Sequence, residues 1–436
     1  MPLKKTLLAT LGLTAIYSSL WAAEFKIRTD REDGIYQPGE SVIWSIETVN
    51  LEEGEAAPKS AHYRILLNGL DEWFSGEIPL DSQGKASISG TKQEPGTLLL
   101  KLQSGDVKGN SGAAFSPKEL APSIERPADF DEFWASKKAM ADSVALNPVL
   151  IPEESTKDGV ELWQVTLDNI NDTKVRGQLA RPEKAEGKLP ALLIVQWAGV
   201  YPLQKPWACN RAADGWLTLN ILAHDLPVYE NKEFYAQKSK GPLKGYTAQG
   251  NDDRETSYFL RMYLSCYQAV RYLQERDDWD GEILVVVGSS QGGMQTLVTA
   301  ALCNDVVTAA LAKIPAGCDL NGPMAGRAPG WPNWYNAVEN KDKTAVRKAA
   351  EYYDVVNFSS LIECPTLIGL GLADITCPPS GVFAVANEIE GPVELVSMPS
   401  AGHKSTKVNP HKPFYVVESL WLNTLREGGN PLTSQQ

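Results

Sequence analysis

Short segments in which apolar and polar residues alternate mark the first part of the chain. Between residues 24 and 105 no such segment exceeds nine residues, and turn-forming sequences such as QPGE, NLEEGE and DSQGK separate them. A period of two without a helical period is typical of strands that bury one face. The pattern therefore predicts a small all-β sandwich over 24–105. Its segments are EFKIRTD, SVIWSIETV, HYRILLNG, KASISG and GTLLLKLQ.

The pattern then changes in two steps. Residues 106–124 are enriched in Gly, Ser and Pro, which predicts a linker between domains. After Asp129, apolar residues recur at helical spacing at Phe130, Phe133 and Trp134, which predicts a helix.

From about residue 125 to 428, continuous apolar runs alternate with amphipathic helical patterns such as SYFLRMYLSCYQAVRYLQE. Apolar strands between such helices are typical of a parallel sheet covered on both faces. We therefore predict an α/β domain with a mostly parallel, doubly wound sheet. The strand-like runs are ALLIVQ (191–196), WLTLNIL (216–222), ILVVVG (283–288), VTAALAKI (307–314), PTLIGL (365–370) and VELVSM (393–398).

The N-terminus predicts export. Residues 1–23 have two lysines, an apolar core from Thr6 to Tyr17 and small residues at Ala22 and Ala23, as in a signal peptide. A buried first helix is the alternative. No other run approaches the roughly 18 apolar residues of a membrane span, so no stable membrane insertion is expected. The mature protein is predicted to be secreted or periplasmic.

Charge and cysteine content indicate which classes of partner, metal site and cofactor are not expected. The net charge of −13 argues against a nucleic-acid partner. The six cysteines form no CxxC pair and have no histidine-rich neighbourhood, so no metal site is expected. One or more disulfides are compatible with the sequence, but six cysteines allow 15 full pairings. No cofactor is expected.

The segment Gly288-Ser289-Ser290-Gln291-Gly292 carries the clearest chemical signal. It is a G-x-S-x-G directly after a buried strand and before the helical MQTLVTAAL. In the α/β-hydrolase fold, a sharp turn at this place exposes the central serine as a nucleophile, and the flanking glycines avoid collisions. We therefore predict Ser290 as the nucleophile. The Gln291 N–H, at the helix start, is a candidate oxyanion donor.

A serine nucleophile needs a base and an acid, which follow it in this fold in the order acid, histidine. Asp374 comes after PTLIGLGLA and His403 after VELVSMPSAG, both beyond strand ends. We predict a triad of Ser290, His403 and Asp374. Among the other histidines His224 is the main rival, because it also ends a strand, but it precedes the serine. It is interpreted as a pocket or packing residue.

Two further parts complete the predicted site. The loop after ALLIVQ offers a second oxyanion donor, the backbone N–H of Val200. An insertion around 318–353 interrupts the strand–helix rhythm and is predicted to cover the site as a lid. Its Trp331, Trp334 and Tyr335 either stack on sugar rings or pack the insertion against the domain.

These residues lie in segments that resemble the acetyl xylan esterase and cephalosporin C deacetylase group, carbohydrate esterase family seven. The similar segments are ERPADFDEFW, QWAGVYP, DDRETSYFLRMYLSCYQAVRYL, VVGSSQGG and GLADITCPPSGVFAVANEIEGPVELVSMPSAGH. The resemblance implies the same triad, oxyanion donors at Val200 and Gln291, hydrolysis of small acyl esters on sugars, and a homo-oligomer. The chain departs from the family pattern at AHDLPVY, where Arg-Gly-Gln is usual, and at Lys404, where glutamate is usual.

Three functions are compatible with these observations. The first is a secreted serine esterase that removes acetyl or similar small acyl groups from an acylated oligo- or polysaccharide. The second is a peptidase of the prolyl-oligopeptidase type, although Gln291 stands where that family favours an aromatic residue. The third is a non-catalytic carbohydrate-binding protein on a hydrolase scaffold.

Overall fold

The N-terminal region folds as two β-sheets that share one core. A computed structural model describes residues 23–52, 54, 56–336, 340–404 and 409–432; the predicted signal peptide lies outside them except for its last residue. One sheet has the strand order β1-β3-β6 and the other β2-β8-β7-β4-β5. Side chains of both sheets, including Trp44 and Leu100, are fully buried between them. The strands are β1 (Glu24–Thr29), β2 (Ile35–Tyr36), β3 (Ser41–Val49), β4 (Ser60–Leu67), β5 (Asp71–Pro79), β6 (Lys85–Thr91), β7 (Gly96–Ser104) and β8 (Val107–Phe115).

Strand β8 corrects the predicted linker. Residues Val107–Phe115 pair with β7 along its whole length, so the prediction of a linker over 106–124 is wrong for these nine residues. The small residues that suggested flexibility are there because of close packing. A Cβ at Gly109 would lie 2.3 Å from the Phe25 carbonyl oxygen, and one at Gly112 would lie 2.0 Å from that of Leu372.

The remaining chain forms a nine-stranded sheet with the order β17-β16-β15-β14-β12-β13-β11-β10-β9. The six predicted apolar runs form its six parallel strands, while β9 to β11 are antiparallel and escaped prediction. The strands are β9 (Val149–Glu153), β10 (Val160–Asp168), β11 (Lys174–Pro182), β12 (Leu189–Val195), β13 (Leu217–Ile221), β14 (Trp279–Ser289), β15 (Ala309–Lys313), β16 (Thr366–Gly371) and β17 (Val393–Met398).

Helices cover both faces of this sheet. Val285 packs on the side of α8, whereas its neighbour Val286 packs on the side of α4 and α5. Successive strand residues point to opposite faces, so a strand buried on both sides is continuously apolar. The helices are α1 (Phe130–Asp142), α2 (Lys205–Ala213), α3 (Lys232–Lys240), α4 (Tyr258–Gln274), α5 (Gln291–Leu302), α6 (Lys343–Ala350), α7 (Pro379–Asn387) and α8 (Lys412–Arg426). Short 3₁₀ helices lie at Pro117–Glu119, Ile170–Asp172, Tyr246–Ala248, Gly322–Ala325, Val355–Asn357 and Ser359–Leu361.

The two regions meet beside the loops that follow β16 and β17. The Gly112 N–H donates to the Pro399 carbonyl at 2.8 Å, and Ser397 Oγ donates to the Asp33 carbonyl at 2.7 Å. Leu66 and Leu99 of the N-terminal region form a small apolar cluster with Ala373. The N-terminal region therefore supports two loops at the carboxyl edge of the parallel sheet.

The cysteines and helices add two further facts. All six cysteines lie in the described residues, and each is a buried free thiol. Among the described residues, no helix combines the length and the apolar character needed to cross a bilayer.

Candidate active site

Ser290 occupies a strained turn between β14 and α5. Its φ of 57° and ψ of −120° lie outside the regions that a serine ordinarily adopts. The Ser290 N–H donates to the Lys313 carbonyl at 2.9 Å, which fixes the turn against β15. A Cβ at Gly288 would lie 2.4 Å from the backbone of Gly292, and one at Gly292 would lie 2.6 Å from the Val195 carbonyl oxygen. The glycines are thus required by close backbone approach.

The structure brings Ser290, His403 and Asp374 into one hydrogen-bonded chain. Ser290 Oγ lies 2.9 Å from His403 Nε2, and His403 Nδ1 lies 2.8 Å from Asp374 Oδ2. Because a carboxylate accepts, Nδ1 carries the proton and Nε2 is free to accept from the serine hydroxyl. The other Asp374 oxygen accepts the backbone N–H groups of Thr376 and Cys377 at 2.8 and 2.9 Å. The arrangement can remove a proton from Ser290 Oγ.

His411 is a residue near this chain whose contact the sequence did not indicate. It is the residue directly before α8, and its Nε2–H donates to the Gly402 carbonyl at 2.8 Å. Burial lowers the pKa of His411. The contact fastens the residue directly before His403 to the start of α8.

The 197–201 loop after β12 is held by two buried side chains. The Gly199 N–H donates to Tyr246 Oη at 3.3 Å, and that hydroxyl donates to Gln291 Oε1 at 2.5 Å. His224 Nε2 lies 3.0 Å from the Gly199 carbonyl. In a trans peptide the N–H points opposite to the carbonyl. Fixing this carbonyl therefore also fixes the direction of the Val200 N–H, the predicted oxyanion donor.

His224 does not face a pocket. It is 1% exposed, and its second ring nitrogen, Nδ1, accepts from Tyr258 Oη at 2.7 Å. Arg261 in turn donates to Tyr258 Oη at 2.8 Å. Burial lowers the pKa of His224 to about 4, so its ring is neutral near pH 7. The prediction of His224 as a substrate-binding residue is wrong, because both ring nitrogens already have protein partners.

The insertion around 318–353 places its aromatics differently from one another. Trp334 is fully buried, stacks on Phe259 with centroids 5.1 Å apart, and donates from Nε1 to the Thr247 carbonyl at 2.6 Å. It packs the insertion against the domain and cannot stack on a sugar. Tyr335 is half-buried and its ring is covered by the Arg347 guanidinium at 3.6 Å. Trp331 is half-buried. Its backbone N–H donates to the carbonyl of Thr376 at 2.8 Å, in the loop after β16 that carries Asp374, called here the acid loop.

One group near the triad has metal-ligand chemistry. Ligand atoms of Asp374, Cys377 and His403 lie within 4.8 Å of one another. Asp374 and His403 are already bonded to each other, and burial raises the pKa of the Cys377 thiol, which keeps it protonated. The donor set therefore suits a hydrogen-bonded pair better than a metal ion.

Comparison with known proteins decides the family. The family model described as acetyl xylan esterase (AXE1) matches residues 117–417. The chain belongs to the acetyl xylan esterase family. It is accordingly a carboxylic ester hydrolase, which favours the esterase over the peptidase and the non-catalytic alternatives.

Relatives of known name or structure agree with this family. Acetyl esterase Axe7A of Xylanibacter ruminicola is 32% identical over 399 residues, which cover 89% of this chain and 88% of that protein. An acetyl xylan esterase from a Paenibacillus species is 26% identical, with a TM-score of 0.58 over 70% of this chain and 98% of its own. An acetyl xylan esterase from a Thermoanaerobacterium species shares the fold, with a TM-score of 0.60 at 21% identity over 70% and 96%.

Proposed function

We propose that this protein is a secreted serine esterase that removes acetyl or similar small acyl groups from an oligo- or polysaccharide. The observation that carries the proposal is the hydrogen-bonded chain from Ser290 through His403 to Asp374. The names of the relatives support the acetyl group and the carbohydrate substrate. Residues 1–23 support export.

The proposed reaction has two steps. Ser290 Oγ attacks the acyl carbonyl while His403 Nε2 takes its proton, and the sugar leaves as an alcohol after His403 returns that proton. Water, activated by the same nitrogen, then releases the acyl group as the acid. Asp374 holds the Nδ1–H tautomer and stabilises the imidazolium. The Gln291 and Val200 N–H groups are the proposed donors to the developing oxyanion.

Replacing Ser290 tests the proposal. Ser290→Ala is expected to lower kcat for 4-nitrophenyl acetate by at least about 10⁴-fold, because the nucleophile is lost. Acetate release from acetylated xylan, mannan and pectin is measured beside it to identify the sugar. Ser87→Ala, an exposed serine on β6, is the matched control and should behave as wild type.

Two results would overturn the proposal. One is wild-type turnover by Ser290→Ala. The other is an absence of acetate release from every acetylated saccharide by a wild-type protein that still hydrolyses 4-nitrophenyl acetate, which would contradict the carbohydrate substrate but keep the esterase.

A further inference from the structure

A cleft of about 490 Å³ opens between α2 and α8 at the carboxyl edge of the parallel strands. Its floor includes Ile194 of β12 and Val287, Gly288 and Ser289 of β14. Below this floor the sheet is closed, since Leu192 and Val285 are fully buried. Ser289, which lines the cleft, directly precedes Ser290 in the chain. The volume of the cleft is within the range of about 300–1,000 Å³ typical of ligand sites.

Three aromatic side chains line the cleft. Trp197 is 43% exposed, and its ring lies 4.8 Å from that of Trp207. Tyr415 lines the α8 side, where Lys313 Nζ lies 4.3 Å from its ring centroid and donates to its hydroxyl. Trp197 also belongs to the 197–201 loop, so these aromatic surfaces adjoin the proposed oxyanion donor.

Polar side chains that make no side-chain hydrogen bond within the described part of the chain lie among these rings. The Arg211 guanidinium forms ion pairs with the carboxylates of Glu418 and Asp214, each at 4.0 Å, which is too long for a hydrogen bond. Neither the Arg211 nor the Glu418 side chain, nor those of Asn210 and Ser289, makes a hydrogen bond to any residue that the structure describes. The Glu418 side chain is only 18% exposed, and burial raises its pKa. The cleft thus places hydrogen-bonding capacity that no described side chain fills next to aromatic rings.

This combination is the chemistry that recognises a sugar ring. The C–H faces of a pyranose pack on aromatic rings, while its hydroxyls need both donors and acceptors. A long acyl chain would remove water from these polar groups without giving them hydrogen bonds. We propose that the cleft formed by Trp207, Arg211, Tyr415 and Glu418 binds a neutral sugar unit of the saccharide that carries the ester. This inference rests on the proposed function for the identity of that saccharide.

Binding of unacetylated oligosaccharides tests the cleft separately from hydrolysis. Xylohexaose, mannohexaose and cellohexaose are titrated into the full chain by calorimetry, with wild type, Trp207→Ala and Glu418→Gln. At least one of them should bind wild type, and each cleft variant should raise its Kd by about tenfold through loss of a ring contact or an acceptor. Val416→Ala, on the exposed side of α8, is the control and should keep the wild-type Kd. Equal thermal unfolding midpoints show that the variants are folded.

The outcomes separate the two proposals. No binding of any hexasaccharide to wild type, or binding that both cleft variants leave unchanged, overturns the cleft assignment. The assignment is also overturned if no hexasaccharide binds and the cleft variants raise the KM for 4-nitrophenyl octanoate, because the occupant of the cleft would then be an acyl chain. A wild-type protein that binds a hexasaccharide in the cleft but releases no acetate supports the cleft and contradicts the proposed function.

Discussion

His224 acts on the backbone of the 197–201 loop and not on an open pocket. Its Nε2–H holds the Gly199 carbonyl, and the chain continues through Tyr258 to Arg261. On the other side of the same residue, Tyr246 joins the Gly199 N–H to the Gln291 side chain. These contacts position both predicted oxyanion donors from behind, so His224, Tyr246 and Tyr258 are positioning residues.

Replacing His224 by Phe should change kinetics and the pH dependence of stability. The Gly199 carbonyl loses its donor, so kcat for 4-nitrophenyl acetate is expected to fall about tenfold to a hundredfold with little change in KM. Folded His224 titrates near pH 4, whereas in the unfolded chain it gains a proton below about 6.5. The wild-type free energy of unfolding should therefore fall by up to about 3 kcal/mol as pH drops from 6.5 to 4 through this group. The variant should lack that part.

Steady-state kinetics at pH 7 measure the change in kcat and KM, and urea unfolding at several pH values measures the pH dependence of stability. His62→Phe, an exposed histidine on β4, is the control. If His224→Phe kept the wild-type kcat, the positioning role would be wrong, and an unchanged pH dependence of stability would show that His224 is not buried as a neutral ring.

Among the elements, strand position decided what the sequence could predict. The central parallel strands β12 to β16 are buried in the middle of the sheet, so their apolar runs were visible and each was predicted. The edge strand β17 is only partly buried, but its apolar run VELVSM was also predicted. Strands β9 to β11 form the antiparallel end of the sheet, and β9 exposes Val149 and Ile151 by more than half, so their pattern is mixed. Ser290, Asp374 and His403 could be predicted because each follows a recognisable strand in the sequence. Tyr246 and Tyr258 carried no local signal, because their contacts join residues 34 to 47 positions apart.

The turn into α5 tolerates no side chain at Gly292. The Cβ of Gly292→Ala would lie 2.6 Å from the Val195 carbonyl, so the start of α5 must move away from β12. We expect kcat to fall by about a hundredfold and the unfolding midpoint to drop, since a shift of about 1 Å at the nucleophile is enough for such a loss. Gly159→Ala, with open space around its Cβ, should cost only the strain of its positive φ, about 1 kcal/mol. Wild-type activity in Gly292→Ala would contradict this view of the turn.

On the scale of the whole molecule, the N-terminal sandwich packs against two loops of the candidate site. It contacts Leu372 and Ala373 in the loop that carries Asp374, and Pro399 in the loop that carries His403. Its β4–β5 turn also reaches the insertion, where Asn68 bonds Gly326 and Ala328 at 3.2 and 3.1 Å. The sequence predicted the sandwich, but sequence patterns cannot show which surface of one region packs on another.

Gly112→Ala tests this support. The new Cβ would lie 2.0 Å from the Leu372 carbonyl oxygen, and relief of that collision must move β8 or the loop that carries Asp374. We expect a lower kcat for 4-nitrophenyl acetate, by about tenfold or more, together with a lower unfolding midpoint. Gly105→Ala, at the open β7–β8 turn, is the control within the same region. A Gly112→Ala protein with wild-type kcat would show that the sandwich does not influence the acid loop.

The junction between sandwich and sheet also bears on modularity. The family-matched segment, residues 117–417, begins just after β8 and stops inside α8. A chain trimmed to those limits would lose the partners of Leu372, Ala373 and Pro399 at one end. At the other it would lose Trp421, Leu422 and Leu425, which fill the core beneath α8. The segment that the family model matches is therefore shorter than the packed unit, because residues within it contact parts of the chain on both sides of 117–417.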